Sequence, residues 1–292
     1  MKTEGAQKQV NHTAKLSAAF LTSCYPEPDR VPERAKRVIV KDNGVYVSTG
    51  DHPALFFSDN PDNRSLDIRS TQYLGHAGSI ACYAVEISSE SELPGWTYYP
   101  GVRDLFGILP DKELAVAALA VRLTDFDRTT RFCGRCGAGM QQSRQERAKI
   151  CPSCGLTTYP CVSPAIIVLV RKDDTILLAR SPRFPPDLYG VIAGFVEPKE
   201  TLEEAIHREV REETGIEITR IRYFGSEPWP FPTSLMIGFN ADYAGGELAI
   251  DNDEIISAGW FDHDHLPRLP STMSISRALI DQWIKEMNDE TR

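Results

Sequence analysis

Short bursts of apolar residues mark the first third of the chain. Arg37-Val38-Ile39-Val40 and Val45-Tyr46-Val47 are β-branched and aromatic runs divided by the turn signal Asp42-Asn43-Gly44. Similar runs continue to about Val85, which predicts a small sheet. Beyond Pro110 the period changes. Leu114, Ala117, Ala118 and Val121 recur at helical spacing with Asp111 placed to cap them, so a helix is expected to run into Asp125. From Ala165 the pattern changes again. Residues 165–170 are continuously apolar, as in a strand buried on both faces, and Asp173-Asp174 turns the chain into Thr175-Ile176-Leu177-Leu178-Ala179, predicting a hairpin. These shifts put boundaries near residues 130 and 161, dividing the chain into an N-terminal α+β domain (1–130), a small module (131–160) and a C-terminal domain (161–292).

Length agrees with that division, because 292 residues exceed one typical domain of roughly 100 to 200. A content of 41% hydrophobic and 25% charged residues, without a repeat period, excludes collagen-like, low-complexity and solenoid architectures. The net charge of −9 argues against a protein that holds nucleic acid or an anionic membrane by bulk attraction. No run of 18 apolar residues exists, so no membrane partner is expected. The apolar residues 16–21, followed by Ser23-Cys24, resemble a lipoprotein cleavage box but fall short of the roughly 7 to 15 that a signal needs. The polar lead before them is read as a cytoplasmic beginning.

Four of the seven cysteines form two pairs, Cys133-x-x-Cys136 and Cys151-x-x-Cys154. Two tight knuckles of soft thiolates suit tetrahedral Zn²⁺, and Gly134, Gly137 and Gly155 supply turns and backbone N–H groups around them. A closed four-cysteine site has no open position, so the chemistry is expected elsewhere. Arg128, Arg131, Arg135, Arg144, Arg147 and Lys149 face only Glu146 in this segment, and are read as a solvated basic surface in preference to a nucleic-acid contact. Cys24, Cys82 and Cys161 are read as ordinary thiols, and His76, His207, His263 and His265 as surface or core residues.

The most specific feature follows Gly194. Thr201-Leu202-Glu203-Glu204 is a capping box and Gly215 suits a left-handed end, which predicts a helix over about 202–213. At about 100° per residue, Leu202, Ala205 and Ile206 share one arc and Glu203, Glu204, His207 and Arg211 the opposite one. Glu209, Glu212 and Glu213 continue the apolar arc. Three inward-leaning carboxylates repel one another unless cations sit among them, and an all-oxygen set favours Mg²⁺ or Mn²⁺ bridging to substrate phosphates. Arg208 and Glu200 are placed to fix the helix against the preceding loop.

At these positions the chain resembles the Nudix hydrolase family: Gly194, five residues, Glu200, seven residues, then Arg208-Glu209-Val210-Arg211-Glu212-Glu213-Thr214-Gly215-Ile216. Downstream, Ser226-Glu227-Pro228-Trp229-Pro230-Phe231-Pro232-Thr233-Ser234 is similar to the array that marks the NADH pyrophosphatase branch, which also carries a four-cysteine ribbon. The resemblance implies a Nudix α/β/α sandwich with a mixed sheet, preceded by a zinc ribbon and a small N-terminal α+β domain. It implies a homodimer that splits NAD(H) into NMN(H) and AMP and removes NAD caps from RNA 5′ ends. Carried over by position, it places Ala193, Glu209, Glu213 and Glu254 around Mg²⁺ or Mn²⁺, with Glu213 or Glu212 assisting deprotonation of water. It places Glu227, Pro228, Trp229, Pro230, Phe231, Pro232, Thr233, Ser234, Tyr159, Glu146, Ser276 and Arg103 around the substrate.

Independently of the family, alternating prolines stiffen the array while Trp229 and Phe231 offer flat faces for a base, with core packing as the competing role. Three positions depart from the resemblance. Glu227 stands in place of glutamine, turning a donor-acceptor into an acceptor when ionised. Lys199 stands where relatives commonly have glycine, at a cost on the order of 1 kcal/mol if the turn is left-handed. Ser276 replaces alanine. The competing functions are hydrolysis of another nucleoside diphosphate derivative such as ADP-ribose or FAD, and nucleotide or RNA binding without turnover.

Overall fold

The structure, a computed structural model, describes residues 31–57, 66–229, 233–250 and 253–290. They fall into two compact units, one ending at Cys161 and the other resuming at Val162.

In the first unit, β1 (Lys36–Lys41), β2 (Gly44–Ser48), β3 (Ile68–Ala77), β4 (Ile80–Ile87) and β5 (Trp96–Tyr99) form one sheet in the order β3-β4-β1-β2-β5. Only β1 and β4 run parallel. Asp42 takes the positive φ of the β1–β2 turn, at 52°. Helix α1 (Asp111–Thr129) buries Leu114, Val116, Ala117, Ala118, Ala120, Leu123 and Thr124. Pro110, not Asp111, is its N-cap, and the helix continues past Asp125 because Leu123 and Thr124 are buried and Arg128 pairs with Asp125 one turn back. Tyr73 and Tyr83 close a small cluster with Ala35 and Ala81.

The cysteine module, with β6 (Gln141–Gln142), β7 (Lys149–Ile150) and β8 (Thr157–Thr158), belongs to the same unit. Lys149 is buried and its Nζ lies 2.8 Å from Asp127 Oδ1, while Arg147 Nη2 donates to the Leu74 carbonyl at 2.6 Å. Arg128 bonds Asp125 and Asn43 and approaches Glu86. The solvated basic surface expected from the sequence is therefore half dismantled: Arg128, Arg147 and Lys149 bind acids and carbonyls that lie outside the segment, leaving Arg131, Arg135 and Arg144 exposed.

The second unit contains β9 (Ser163–Lys172), β10 (Thr175–Arg180), β11 (Ile192–Phe195), α2 (Leu202–Thr214), β12 (Glu217–Trp229), β13 (Ser234–Gly245), β14 (Ser257–Asp262) and α3 (Ile275–Glu290). Its sheet runs β12-β13-β9-β10-β14, with β11 on β9; β13 and β9 are parallel and the other pairs antiparallel. The continuous apolar run splits by parity. Ile166, Val168 and Val170 pack with Ala205, Ile206 and Val210 of α2, whereas Ile167 and Leu169 pack with Leu279, Ile280 and Trp283 of α3. A strand buried on both faces needs apolar residues at every position, which is why no alternation is visible in the sequence. The result is the expected α/β/α sandwich. No described helix in either unit is long and apolar enough to cross a membrane.

Candidate active site

Helix α2 starts and stops as its residues direct. Glu204 N donates to Thr201 Oγ1 at 3.2 Å, Thr201 N donates to Glu204 Oε2 at 2.8 Å, and Gly215 ends the helix at φ 71°. The loop before it is held by Arg208, which donates through Nε to Glu200 Oε1 at 2.6 Å, and through Nη2 to Glu200 Oε2 and the Phe195 carbonyl, both at 2.9 Å. The Arg208 guanidinium, helped by the Glu197 N–H, holds the Glu200 carboxyl down at about 2. Lys199 sits at φ 70°, so the turn is left-handed where this chain lacks glycine.

Gly194 lies under the helix. A Cβ there would overlap the Glu209 carboxylate, so glycine is what allows that side chain to lie against β11. Glu209 and Glu213, one turn apart, are only 7% and 6% exposed. Glu254 joins them from the segment before β14, where its neighbour Ile255 is anchored in the α2-side core. Carboxylate oxygens of Glu209, Glu213 and Glu254 lie within 4.8 Å of one another. Burial pushes the Glu209 carboxyl up, against Arg208 and with Glu212 and Glu254 adding to the rise. Hard oxygen donors gathered this closely fit a divalent cation of the Mg²⁺ or Mn²⁺ class.

Glu212 differs from its expected place. Its side chain is 61% exposed and accepts from Arg208 Nη1 at 3.1 Å, because it lies on the Arg208 edge of the apolar arc. The third carboxylate of the cluster comes instead from the exposed Glu254, 41 residues beyond Glu213 in the chain. Ala193 precedes Gly194 in β11, opposite Ile167.

The sheet register carries the site across to the array strand. Phe195 pairs with Ala165, Ala165 with Met236 and Met236 with Glu227, one row spanning β11-β9-β13-β12. Three interstrand steps of about 4.8 Å make this roughly 14 Å, on the scale of a nucleoside diphosphate. Paired residues point to the same face, and Met236 packs in the α3-side core, so Phe195 and Glu227 share that face, as does Trp229 two residues on. Phe195 is an aromatic that the sequence reading passed over. It is 54% exposed at the end of β11, and the signal for it was a large ring directly after Gly194.

The other assigned positions separate. Ser234 is buried, and the Thr233 and Ser163 hydroxyls meet at 2.9 Å. Glu227 Oε2 accepts from Ile275 N at 2.7 Å, and Ser276 Oγ accepts from Val191 N at 3.5 Å. Pro230, Phe231 and Pro232 lie outside the described residues. Tyr159, Glu146 and Arg103 belong to the first unit: the Tyr159 hydroxyl donates to Glu146 Oε1 at 3.0 Å, and Arg103 is exposed on the short 3-10 turn Val102–Leu105.

In the first unit the sulfurs of Cys133, Cys136, Cys151 and Cys154 also lie within 4.8 Å of one another. The two knuckles repeat one geometry. Gly137 N donates to the Cys133 carbonyl at 2.8 Å and Gly155 N to the Cys151 carbonyl at 3.0 Å, both glycines having positive φ. Gly134 has no such need. Burial opposes a Cys151 thiolate, yet the Cys154 and Ser153 N–H groups carry it down to about 6, while Cys136, against the Ala138 N–H, is pushed up to about 12 by Cys151 and Cys154. Thiols that share protons in this way become four thiolates only around a metal, which fits zinc.

Comparison with known proteins agrees with this geometry. The NUDIX domain matches residues 162–283, the NADH pyrophosphatase zinc ribbon domain 128–159, and the NADH pyrophosphatase-like rudimentary NUDIX domain 31–125. The chain is 40% identical over 273 residues to the NAD-capped RNA hydrolase NudC of Pseudomonas fluorescens, covering 93% of this chain and 95% of that one. It is 45% identical over 225 residues to the protein of the same name from Deinococcus radiodurans, covering 76% and 80%. A NUDIX hydrolase from Nitrosomonas europaea aligns in structure over 55% of this chain and 93% of its own, with 19% identity and a TM-score of 0.46. Motif, sandwich, ribbon and relatives together place the chain in the Nudix hydrolase family, in the NADH pyrophosphatase and NAD-capped RNA hydrolase branch.

Proposed function

We propose that this chain is a metal-dependent NAD(H) diphosphatase that yields NMN(H) and AMP and also removes NAD caps from RNA 5′ ends. The observation that carries the reading is the convergence of Glu209, Glu213 and Glu254 beside Gly194. A cluster of repelling carboxylates, two of them buried, has no use in a protein that merely binds nucleotides, but it can hold divalent cations against a diphosphate. Mg²⁺ or Mn²⁺ held by these three side chains, with Ala193 contributing from β11, supplies Lewis acidity and charge neutralisation when bound. The chain's own groups do the rest. Glu213 takes the proton from a water that attacks one phosphorus, with Glu212 at the rim as the alternative base; one P–O bond forms and the bridging P–O bond breaks.

Arg208 keeps Glu209 and the loop carrying Glu200 in place. Phe195 and Trp229, on the α3 face at the head of the sheet, provide flat walls for a base. The choice of NAD(H) and of NAD-capped RNA as substrate is supported by the NudC relatives. Four thiolates hold a structural zinc in the ribbon, and a homodimer is supported by the large apolar side chains Phe132, Ile150 and Tyr159 exposed there. Incubating the protein with NADH and Mg²⁺, or with NAD-capped RNA, and separating the products tests the reading. NMNH and AMP are expected; intact NADH after prolonged incubation overturns it.

A further inference from the structure

The N-terminus of α3 is fastened to two strands at once. Ser274 caps the helix, its Oγ accepting from Arg277 N at 3.3 Å and its carbonyl from Ala278 N at 3.1 Å. Ile275 and Ser276 are therefore the first two helical residues, whose N–H groups an α-helix cannot satisfy internally. Ile275 N donates to Glu227 Oε2 of β12 at 2.7 Å. Ser276 Oγ accepts from the N–H of Val191, one residue before β11. The Ile275 side chain lies over β13, where a methyl group on Gly238 would come within 2.8 Å of its Cδ1. Glu227, Ile275 and Ser276 are all at least nine-tenths buried.

This brace joins the two strands that carry the aromatic walls. Glu227 stands in the register row of Phe195 and two residues before Trp229. We propose that Glu227 is a positioning residue for the proposed reaction: its carboxylate ties the N-terminus of α3 to β12 and so fixes the slot between Phe195 and Trp229, instead of reading the substrate ring. The inference rests on the proposed function only in taking that slot as the dinucleotide site. The chemistry suits the place, because a helix N-terminus presents partial positive charge and a carboxylate makes a strong bond to its amide. A glutamine here would keep the bond, since its side-chain carbonyl accepts from the same amide.

Three variants test this: Glu227→Ala, Glu227→Gln and Ile275→Pro, each read by NADH kinetics and by hydrogen exchange of the α3 N-terminal amides. Proline is tolerated at the first helical position but removes the donor. Glu227→Ala is expected to raise KM for NADH about tenfold while kcat stays within about twofold. It should also speed exchange at Ile275, and Glu227→Gln should restore both readouts. Ile275→Pro should reproduce the KM rise without touching the array, and the double variant Glu227→Ala/Ile275→Pro should be no worse than either single one. Wild-type KM in Glu227→Ala, additive losses in the double variant, or a Glu227→Gln protein as impaired as Glu227→Ala would each overturn the proposal. A wild-type protein that leaves NADH intact would overturn the functional reading alone, because amide exchange reports the brace without turnover.

Discussion

The two ligand clusters of this chain are built in opposite ways. The four cysteines all lie within 22 residues, and each pair is preset by its own knuckle turn. The three carboxylates come from one helix and a distant loop, and they meet only because α2 packs on the sheet and Ile255 is pulled into the core beneath it. Soft donors from a local frame make a closed site whose metal acts as part of the fold. Hard donors brought together by tertiary packing make a site that keeps room for waters and phosphate oxygens. On the proposed function, the contrast places stability and reactivity in separate clusters, each of which should be open to damage without the other.

The sharpest way to break that contrast is a pair of substitutions. Glu213→Gln should lower kcat for NADH on the order of 10²- to 10⁴-fold while the melting temperature stays close to wild type, because removing one charge from a repelling group does not unfold it. Cys151→Ser should do the reverse to the first unit, with loss of zinc by elemental analysis and loss of cooperative unfolding there. A fully active Glu213→Gln protein at saturating Mg²⁺ would remove the carboxylate cluster from the chemistry.

Metal exchange separates the clusters next. A strong chelator should stop hydrolysis at once, and added Mg²⁺ or Mn²⁺ should restore it, while zinc leaves the thiolates slowly. Activity that persists without free divalent ions would contradict the assignment, as would fresh protein containing no zinc.

A smaller effect concerns the loop that serves the carboxylates. Glu200 is held at about 2 in the folded protein against an ordinary value of 4.5, so its pairing with Arg208 stabilises the fold above pH 4.5 and that contribution is lost as pH falls toward 2. Denaturation midpoints of wild type and Glu200→Gln should therefore differ at pH 6, approach each other below pH 4.5 and converge only as pH nears about 2. A gap that stays constant with pH would assign Glu200 a role other than this ion pair. Smallest is Lys199→Gly, which relieves the left-handed φ of 70° and should raise stability by up to about 1 kcal/mol, seen as a modest rise in melting temperature. A loss of stability would show that the Lys199 side chain contributes something the backbone strain conceals.

Much of this was legible because it is local. The capping box at Thr201 and Glu204, the left-handed Gly215, the knuckles around the cysteines and the Asp173-Asp174 hairpin depend on contacts a few residues apart, and the structure contains each of them. The misreading of the basic residues comes from partners far along the chain. Arg147 and Lys149 looked like part of a solvated basic surface because Leu74 and Asp127 are not visible from their own segment. Glu212 looked like a member of the inward patch, since a helical wheel cannot say which edge of an arc faces the strand.

The sequence by itself determined the family, the α2 helix with its Glu209 and Glu213, and a four-thiolate ribbon, since spacing along one backbone stretch decides which groups can share a face or a knuckle. Only the tertiary structure decided that Gly194 must yield space to Glu209 and that Phe195 stands in one row with Glu227. It alone turned the Glu227 carboxylate onto Ile275. These are contacts between residues 15 to 48 apart in the chain, fixed by strand register and by the packing of two helices on opposite faces of one sheet, which no local period encodes.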